Sequence, residues 1–367
     1  MAVMVTGATG HLGPHLIAEL LRAGDVDRVY VVARDTGPPA AARVGAIERI
    51  ARAQLAAEGS RGSTATVIGV AEGEIRRLRS DVRVIVHAAA NTRFVAPLEE
   101  LRSTNVAATR ELCQIAGEFP RLAQMLFVST TCTAGLRTGR IDEQLLDDGH
   151  GFANAYEQTK WEGEQVVATS GLPSRIARLS TCAGSHATGY VHRFGALHHL
   201  LHWISRGLVP MVPGIEQTPT DIIATDVAAR WIARSVTRNP DGLEICHVAL
   251  GDDSVPLGML IDFLIPLLEA HGRRRLQRPL IVDEATFASF NEMVRLSGDA
   301  LLSRVQASAA AMLPSLTHPK VYETSRAERC WGGPLPHAEW RALLSRVVSF
   351  GFDRHWGLHP AMESCHA

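Results

Sequence analysis

The chain has 367 residues, 46% of them hydrophobic, and a formal net charge of −1. That length supports one large domain, or a domain with an appended lobe. The near-zero charge provides no global field for nucleic acid or an anionic membrane surface. No charged and apolar leader precedes the first strand, so a signal peptide is not expected. The apolar stretch 257–268 is broken by Asp262 and Pro266 and is too short for a bilayer span. Cys113, Cys132, Cys182, Cys246, Cys330 and Cys365 are scattered without a CxxC pair, which implies a reduced, cytoplasmic chain. Only two of the 37 basic residues are lysine, Lys160 and Lys320. Where any positive charge would serve, this chain carries arginine.

Residues 2–5 are a short apolar run followed by a glycine-rich turn. Leu16, Ile17, Leu20 and Leu21 then recur at helical spacing, and 28–33 is a second β-branched run. This is a strand–helix–strand unit. Further strands are predicted at 65–70, 82–86, 125–129 and 175–179, with helices at 43–57, 106–116 and 157–168. Alternating strands and helices imply an α/β fold, a Rossmann-type doubly wound parallel sheet covered on both faces. After Thr181 the rhythm changes. Segments 222–224 and 244–250 read as short strands returning to the sheet, and helical patterns dominate from Leu257 onward. The expected division is a dinucleotide-binding domain over 1–185 with returns at about 220–250. A smaller, mostly helical substrate lobe would comprise 186–219 and 251–367. The active site should lie between them, at the carboxyl ends of the strands.

The turn after the first strand reads Thr6-Gly7-Ala8-Thr9-Gly10-His11-Leu12-Gly13. Glycines at 7, 10 and 13 permit a tight turn, close approach of pyrophosphate to backbone, and helix–sheet packing. Pro14 suits the first turn of the following helix, whose N–H groups would face phosphate. Gly7, Thr9, Gly10, His11, Leu12 and Gly13 are therefore the candidate cofactor loop. The second strand ends in Arg34-Asp35. An arginine there accommodates a ribose 2′-phosphate and an acid holds a 2′-hydroxyl, so Arg34 favours NADPH while Asp35 leaves NADH open.

Tyr156 and Lys160 stand at i and i+4, on one helical face. With four tyrosines and two lysines, chance supplies such a pair only about 0.02 times per chain. A phenol is a poor acid or base near neutrality. A nearby ammonium would lower its pKa and tune it for proton transfer at a carbonyl oxygen.

The glycine loop, His87-Ala88-Ala89-Ala90, Asn105-Val106 and Tyr156…Lys160 occur in the order of the extended short-chain dehydrogenase/reductase superfamily, which this sequence resembles. Phe127-Val128-Ser129-Thr130-Thr131 is similar to that family's strand-end hydroxyl motif. The resemblance implies that Thr130 joins Tyr156 and Lys160 as a catalytic residue, with Ser129 as the fallback. It implies also that His87, Ala88 and Ala89 line the cofactor, that Lys160 bonds its ribose, and that Asn105 steadies the site. His87–Phe94, Asn154–Glu164, Arg178–Gly184 and Thr220–Val227 resemble the thioester reductase and fatty acyl-CoA reductase branch, together covering roughly residues 1–235. Two departures stand out. No Asp follows Gly69, and Leu179 replaces a proline. That branch implies reduction of an acyl thioester, on coenzyme A or a carrier protein, to aldehyde or alcohol. The alternatives are an extended-family oxidoreductase acting on a free ketone or alcohol, an epimerase or dehydratase that retains its cofactor, and a cofactor sensor without turnover.

Two weaker features are weighed against ordinary explanations. His198 and His202 are spaced i, i+4 but lack an HExxH context or a third ligand, so no metal is expected. Arg273, Arg274, Arg275 and Arg278 read first as a solvated loop and second as a docking patch for a carrier or coenzyme A. Oligomeric state is left open.

Overall fold

Alternate residues of the first strand set the layering. In β1 (Ala2–Thr6) every residue is buried; Val3 and Val5 enter one apolar cluster, Ala2 and Met4 another. A strand covered on both faces loses the polar half of its alternation, hence the unbroken apolar run. Six further strands complete the sheet, the inner ones largely buried and the edge strand Thr66–Ala71 mostly half-buried: β2 (Arg28–Ala33), β3 (Thr66–Ala71), β4 (Val82–His87), β5 (Gln124–Thr130), β6 (Ser174–Leu179) and β7 (Leu243–Val248). All pair in parallel, in the order β7-β6-β5-β4-β1-β2-β3. Strand order reverses between β1 and β4, where Thr6 is in register with His87. Ligands of doubly wound sheets bind at such a reversal. The computed structural model describes residues 1–34, 38–60, 62–336 and 339–358, so Asp35 and Cys365 lie outside the described residues.

One face of the sheet is covered by α1 (Gly13–Arg22) and α2 (Ala40–Ala57), through Leu16, Leu20, Ile47 and Leu55. The other is covered by α3 (Ala108–Gly117) and α4 (Ala155–Ala168), through Leu112, Ile115 and Val167. The later chain adds α5 (Ala196–Ser205), α6 (Thr225–Ser235), α7 (Leu257–Gly272), α8 (Glu284–Leu296), α9 (Ala300–Thr317), α10 (Ser325–Trp331) and α11 (Trp340–Asp353). Leu200, Val212, Ile261, Phe287, Met312 and Leu313 form a separate apolar cluster among α5, α7, α8 and α9. By contrast α6, α10 and α11 share the cluster of α1 and α2, through Trp231, Ala327 and Leu344. Among the described residues no helix is long and apolar enough to cross a membrane.

Two expectations are corrected. The segment expected to return to the sheet at 222–224 does not join it. Ile222–Ile223 pairs in parallel with Thr181–Cys182 as a separate two-stranded ribbon beyond β6. The return near 244–250 does join, as the edge strand β7. The helix expected at 106–116 begins instead at Ala108 and is preceded by a π-helical stretch, Ser103–Ala107. Such stretches commonly accompany functional positions, and Asn105 sits within this one.

Candidate active site

The glycine loop is held by contacts only glycine allows. Gly7 has φ +77°, and a Cβ there would lie 2.5 Å from the Ala88 and Ala89 backbone. At Gly13 a Cβ would lie 1.8 Å from the Ala8 carbonyl oxygen. At Gly10 it would meet only the Gly7 oxygen, at 3.1 Å, so the outer side of the loop is open to a ligand. Helix α1 starts at Gly13 after an N-cap, Leu12, that makes no side-chain capping bond, and its first turn contains Pro14. In that turn the Gly13 N–H already donates to the Gly10 carbonyl at 3.1 Å and Pro14 has none, so it is the open side of Gly10 at the positive end of the α1 dipole that suits a dinucleotide pyrophosphate. These residues fit such a cofactor.

His87, buried at the end of β4, does not reach outward. The Ala89 N–H donates to Thr6 Oγ1 at 3.3 Å, and the Thr109 hydroxyl donates to the Asn105 carbonyl at 2.7 Å. With the Thr109 proton so placed, His87 Nε2–H donates to Thr109 Oγ1 at 3.0 Å, and Nδ1 accepts from Thr6 Oγ1 at 2.7 Å. Burial lowers the imidazole pKa to about 3, which keeps the ring neutral as this chain of bonds requires. His87 thus fixes where Ala88 and Ala89 lie against Gly7. His11 plays a similar part within the loop itself. Its Nδ1 is 3.0 Å from the Arg193 carbonyl oxygen and its Nε2 3.0 Å from Thr225 Oγ1.

Asn105 ties this region to the tyrosine helix. Its Oδ1 accepts from the Asn91 N–H at 2.7 Å, while Nδ2 donates to the Asn91 carbonyl at 3.0 Å and to Thr159 Oγ1 at 3.1 Å. Thr159 in turn donates to the Tyr156 carbonyl at 3.1 Å.

Helix α4 carries Tyr156 and Lys160 to the end of β5, where Thr130 stands. The Thr130 hydroxyl stands beside the Tyr156 phenol, and its oxygen accepts the Cys132 N–H at 3.2 Å. The neighbouring Ser129 points to the opposite face and donates to the buried Glu164, as strand alternation requires. Phe94 packs against Tyr156 with ring centroids 5.0 Å apart. The Lys160 ammonium donates to the Val128 carbonyl at 2.8 Å and lies 4.1 Å over the Phe127 ring. Burial lowers its pKa to about 8, with Glu164 acting in the opposite sense.

The expectation for Tyr156 itself needs correcting. Burial raises the phenol above its usual range, and the neighbouring Thr130 hydroxyl pulls the other way. The phenol is therefore a protonated hydrogen-bond donor at neutral pH rather than a pre-formed phenolate. Cys132 and Cys182 lie near the same phenol, and burial pushes their thiols up to about 11 and about 12. Neither is a thiolate near neutrality.

At the end of β2, Arg34 is exposed, and the half-buried Arg43 of α2 donates to the Arg34 carbonyl. Arg43 was not legible as a site residue. Nothing in a helical run of alanine and arginine marks which arginine turns toward the strand end. Asn154 and Glu157 were also missed, although Asn-x-x-Glu before a helix is a capping pattern. Of the other expected features, His198 uses both ring nitrogens, on the Ala183 carbonyl at 2.7 Å and the Gly195 N–H at 3.0 Å. In the arginine cluster, Arg278 is paired with Asp262 and Glu216, and Arg274 caps the Arg206 carbonyl.

Comparison with known proteins agrees with this architecture. A family profile described as male sterility protein, an NAD-binding family, matches residues 5–232. An isonitrile lipopeptide synthase of Streptomyces coeruleorubidus is 33% identical over 237 residues, which is 60% of this chain and 16% of that protein. The glycine betaine reductase ATRR of Emericella nidulans is 29% identical over 243 residues, 60% of this chain and 19% of that protein. The chain thus spans less than a fifth of the length of these relatives. Among solved structures, the terminal R domain of the myxalamid PKS-NRPS biosynthetic pathway has a TM-score of 0.73 at 22% identity, covering 97% of this chain and 91% of that one. A thiolation-reductase di-domain from an archaeal non-ribosomal peptide synthetase has a TM-score of 0.69 at 16% identity, covering 97% and 76%. The chain belongs to the male sterility protein family of NAD-binding domains.

Proposed function

We propose that this chain uses NADPH to reduce an acyl thioester, presented on the pantetheine arm of a carrier protein, to the aldehyde. The observation that carries the reading is the Thr130–Tyr156 hydroxyl pair at the open end of the sheet, flanked by thiols held in their protonated form. The thiols argue against a covalent acyl-cysteine route and for direct attack on the bound thioester. The cofactor, when bound, supplies the hydride. Thr130 Oγ1 accepts the Cys132 N–H, and in this reading its own proton is given to the thioester oxygen. Tyr156 provides the second donor and, through its protonated phenol, the proton that the developing oxyanion takes up. Collapse then releases thiol and aldehyde. The carrier-bound form of the substrate is supported by the R-domain and thiolation-reductase likenesses.

The preference for NADPH rests on Arg34 and Arg43, which meet at the end of β2. Charged hydrogen bonds contribute about 1.5–3 kcal/mol each. Arg34→Ser is therefore expected to weaken NADPH binding about ten- to hundred-fold in a nicotinamide fluorescence titration, and to leave NADH affinity unchanged. Equal losses for both cofactors would contradict this assignment. The substrate reading is tested by offering acyl-pantetheine, acyl-CoA and acyl-carrier thioesters beside free ketones, following NADPH consumption and thiol release. Turnover of ketones alone would overturn it.

A further inference from the structure

The catalytic helix is fastened at its first turn to a segment roughly 160 residues later in the chain. Asn154 is the N-cap of α4, and its Oδ1 accepts the Glu157 N–H at 3.0 Å. The same side chain turns both Nδ2 hydrogens toward α9, one to the Ala311 carbonyl at 3.0 Å and one to Ser315 Oγ at 3.1 Å. Ser315 completes the circuit by donating to Glu157 Oε1 at 2.5 Å. The second carboxylate oxygen of Glu157 accepts the Ala153 N–H at 2.9 Å. Every donor and acceptor of the Asn154 amide is thereby engaged, and Glu157 is fully buried. An N-cap needs only an acceptor for the first-turn N–H groups. The bonds from Asn154 to α9 do nothing for that capping; they set the direction in which the first turn faces. Tyr156 lies within this first turn, between the two residues that are clamped.

The strand that follows α9 strengthens the fastening. Lys320–Tyr322 pairs in parallel with Gly139–Ile141, a ribbon that follows the turn containing Cys132. Lys320, the second of the two lysines in this arginine-rich chain, is 3% exposed, and its ammonium has no hydrogen-bond partner among the described residues. Burial raises the Glu157 pKa, while the Lys320 charge on the side of the ribbon and the bond from Ser315 act the other way, toward the carboxylate.

We propose that Asn154, Glu157 and Ser315 form a clasp through which α9 positions Tyr156, so that the late helical segment governs turnover and not cofactor binding. None of the three is a catalytic residue; each acts through the orientation of the first turn of α4. The inference rests on the reading of Tyr156 as the proton donor.

Two variants test it, assayed on whichever thioester of the panel above the wild-type chain turns over fastest. Ser315→Ala opens the circuit at its centre. Asn154→Ser keeps a capping oxygen for the Glu157 N–H but loses both bonds to α9. Each is expected to lower kcat about ten-fold, the size of effect a small misplacement of a reacting group produces. KM for the thioester and the dissociation constant for NADPH should be unchanged, and thermal unfolding should stay within a few degrees of wild type. An unchanged kcat in both variants would overturn the inference. So would a parallel loss of NADPH affinity, or loss of the folded state in both variants, either of which makes the contact merely structural. A Tyr156→Phe control separates the two readings. If it keeps full activity, the assignment of Tyr156 has failed; if it is inactive while both clasp variants are normal, the clasp alone has failed.

Discussion

Tyr156→Phe is expected to lower turnover by about 10²- to 10⁴-fold, the usual contribution of a positioned general acid, with NADPH affinity retained. The substitution removes one hydroxyl. It leaves the contact with Phe94 and the first turn of α4, which is held by Asn154 and Glu157 rather than by the phenol. Thr130→Ala should remove the second donor and cost less, because Tyr156 would still deliver the proton. The decisive comparison is kcat against the NADPH dissociation constant from fluorescence titration. If Tyr156→Phe retained turnover, the oxyanion would have to be stabilised elsewhere, and the role given to the Thr130–Tyr156 pair would be wrong.

Arg178→Met is expected to be the most destabilising single change considered. Arg178 and Glu164 are 1% and 0% exposed and form a two-pronged ion pair, with Nη2 to Oε2 at 2.7 Å and Nε to Oε1 at 3.0 Å. The guanidinium also lies 3.2 Å from His247 Nε2, and Glu164 accepts the Ser129 hydroxyl. Removing the arginine leaves a buried carboxylate with only the Ser129 hydroxyl bond and the charge of Lys160 to support it. Breaking such a pair from one side costs about 3–5 kcal/mol, whereas replacing both partners by apolar side chains can be nearly neutral. Arg178→Met should therefore lower the denaturation midpoint strongly, and Arg178→Met with Glu164→Leu should recover much of the loss. A double variant as unstable as the sum of its single changes would show that the pair holds the end of β5 by geometry and not by charge balance. Because Ser129 immediately precedes Thr130, the pair anchors the strand end from which the proposed catalytic hydroxyl projects.

What could be read from the sequence was what local chemistry determines. Glycines at 7, 10 and 13 after a buried strand specify a turn with few alternatives, and the structure shows why at 7 and 13. The parallel sheet was legible because strands covered on both faces are written as continuous apolar runs. The 222–224 segment misled because a two-residue ribbon has no periodicity to distinguish it from a sheet strand. The π-helical stretch at Ser103–Ala107 leaves no compositional trace either. The direction of the Tyr156 shift could not be read, since spacing brings Lys160 onto the same helical face but says nothing of burial or of where the ammonium points. In the structure it points to the Val128 carbonyl. Contacts between distant segments were the least accessible. The bond from Ser315 to Glu157 joins residues 158 apart, and only the fold brings them together.

Transfer of an isotopic label tests the central claim most directly. With an acyl-carrier thioester and NADPH deuterated at the transferring position, the product aldehyde should carry one deuterium at its carbonyl carbon. One thiol should appear for each cofactor oxidised to that stage, and Tyr156→Phe should suppress label transfer and thiol release together. Cofactor oxidation without thiol release, or thiol release without label in the product, would contradict the assignment of this site to thioester reduction.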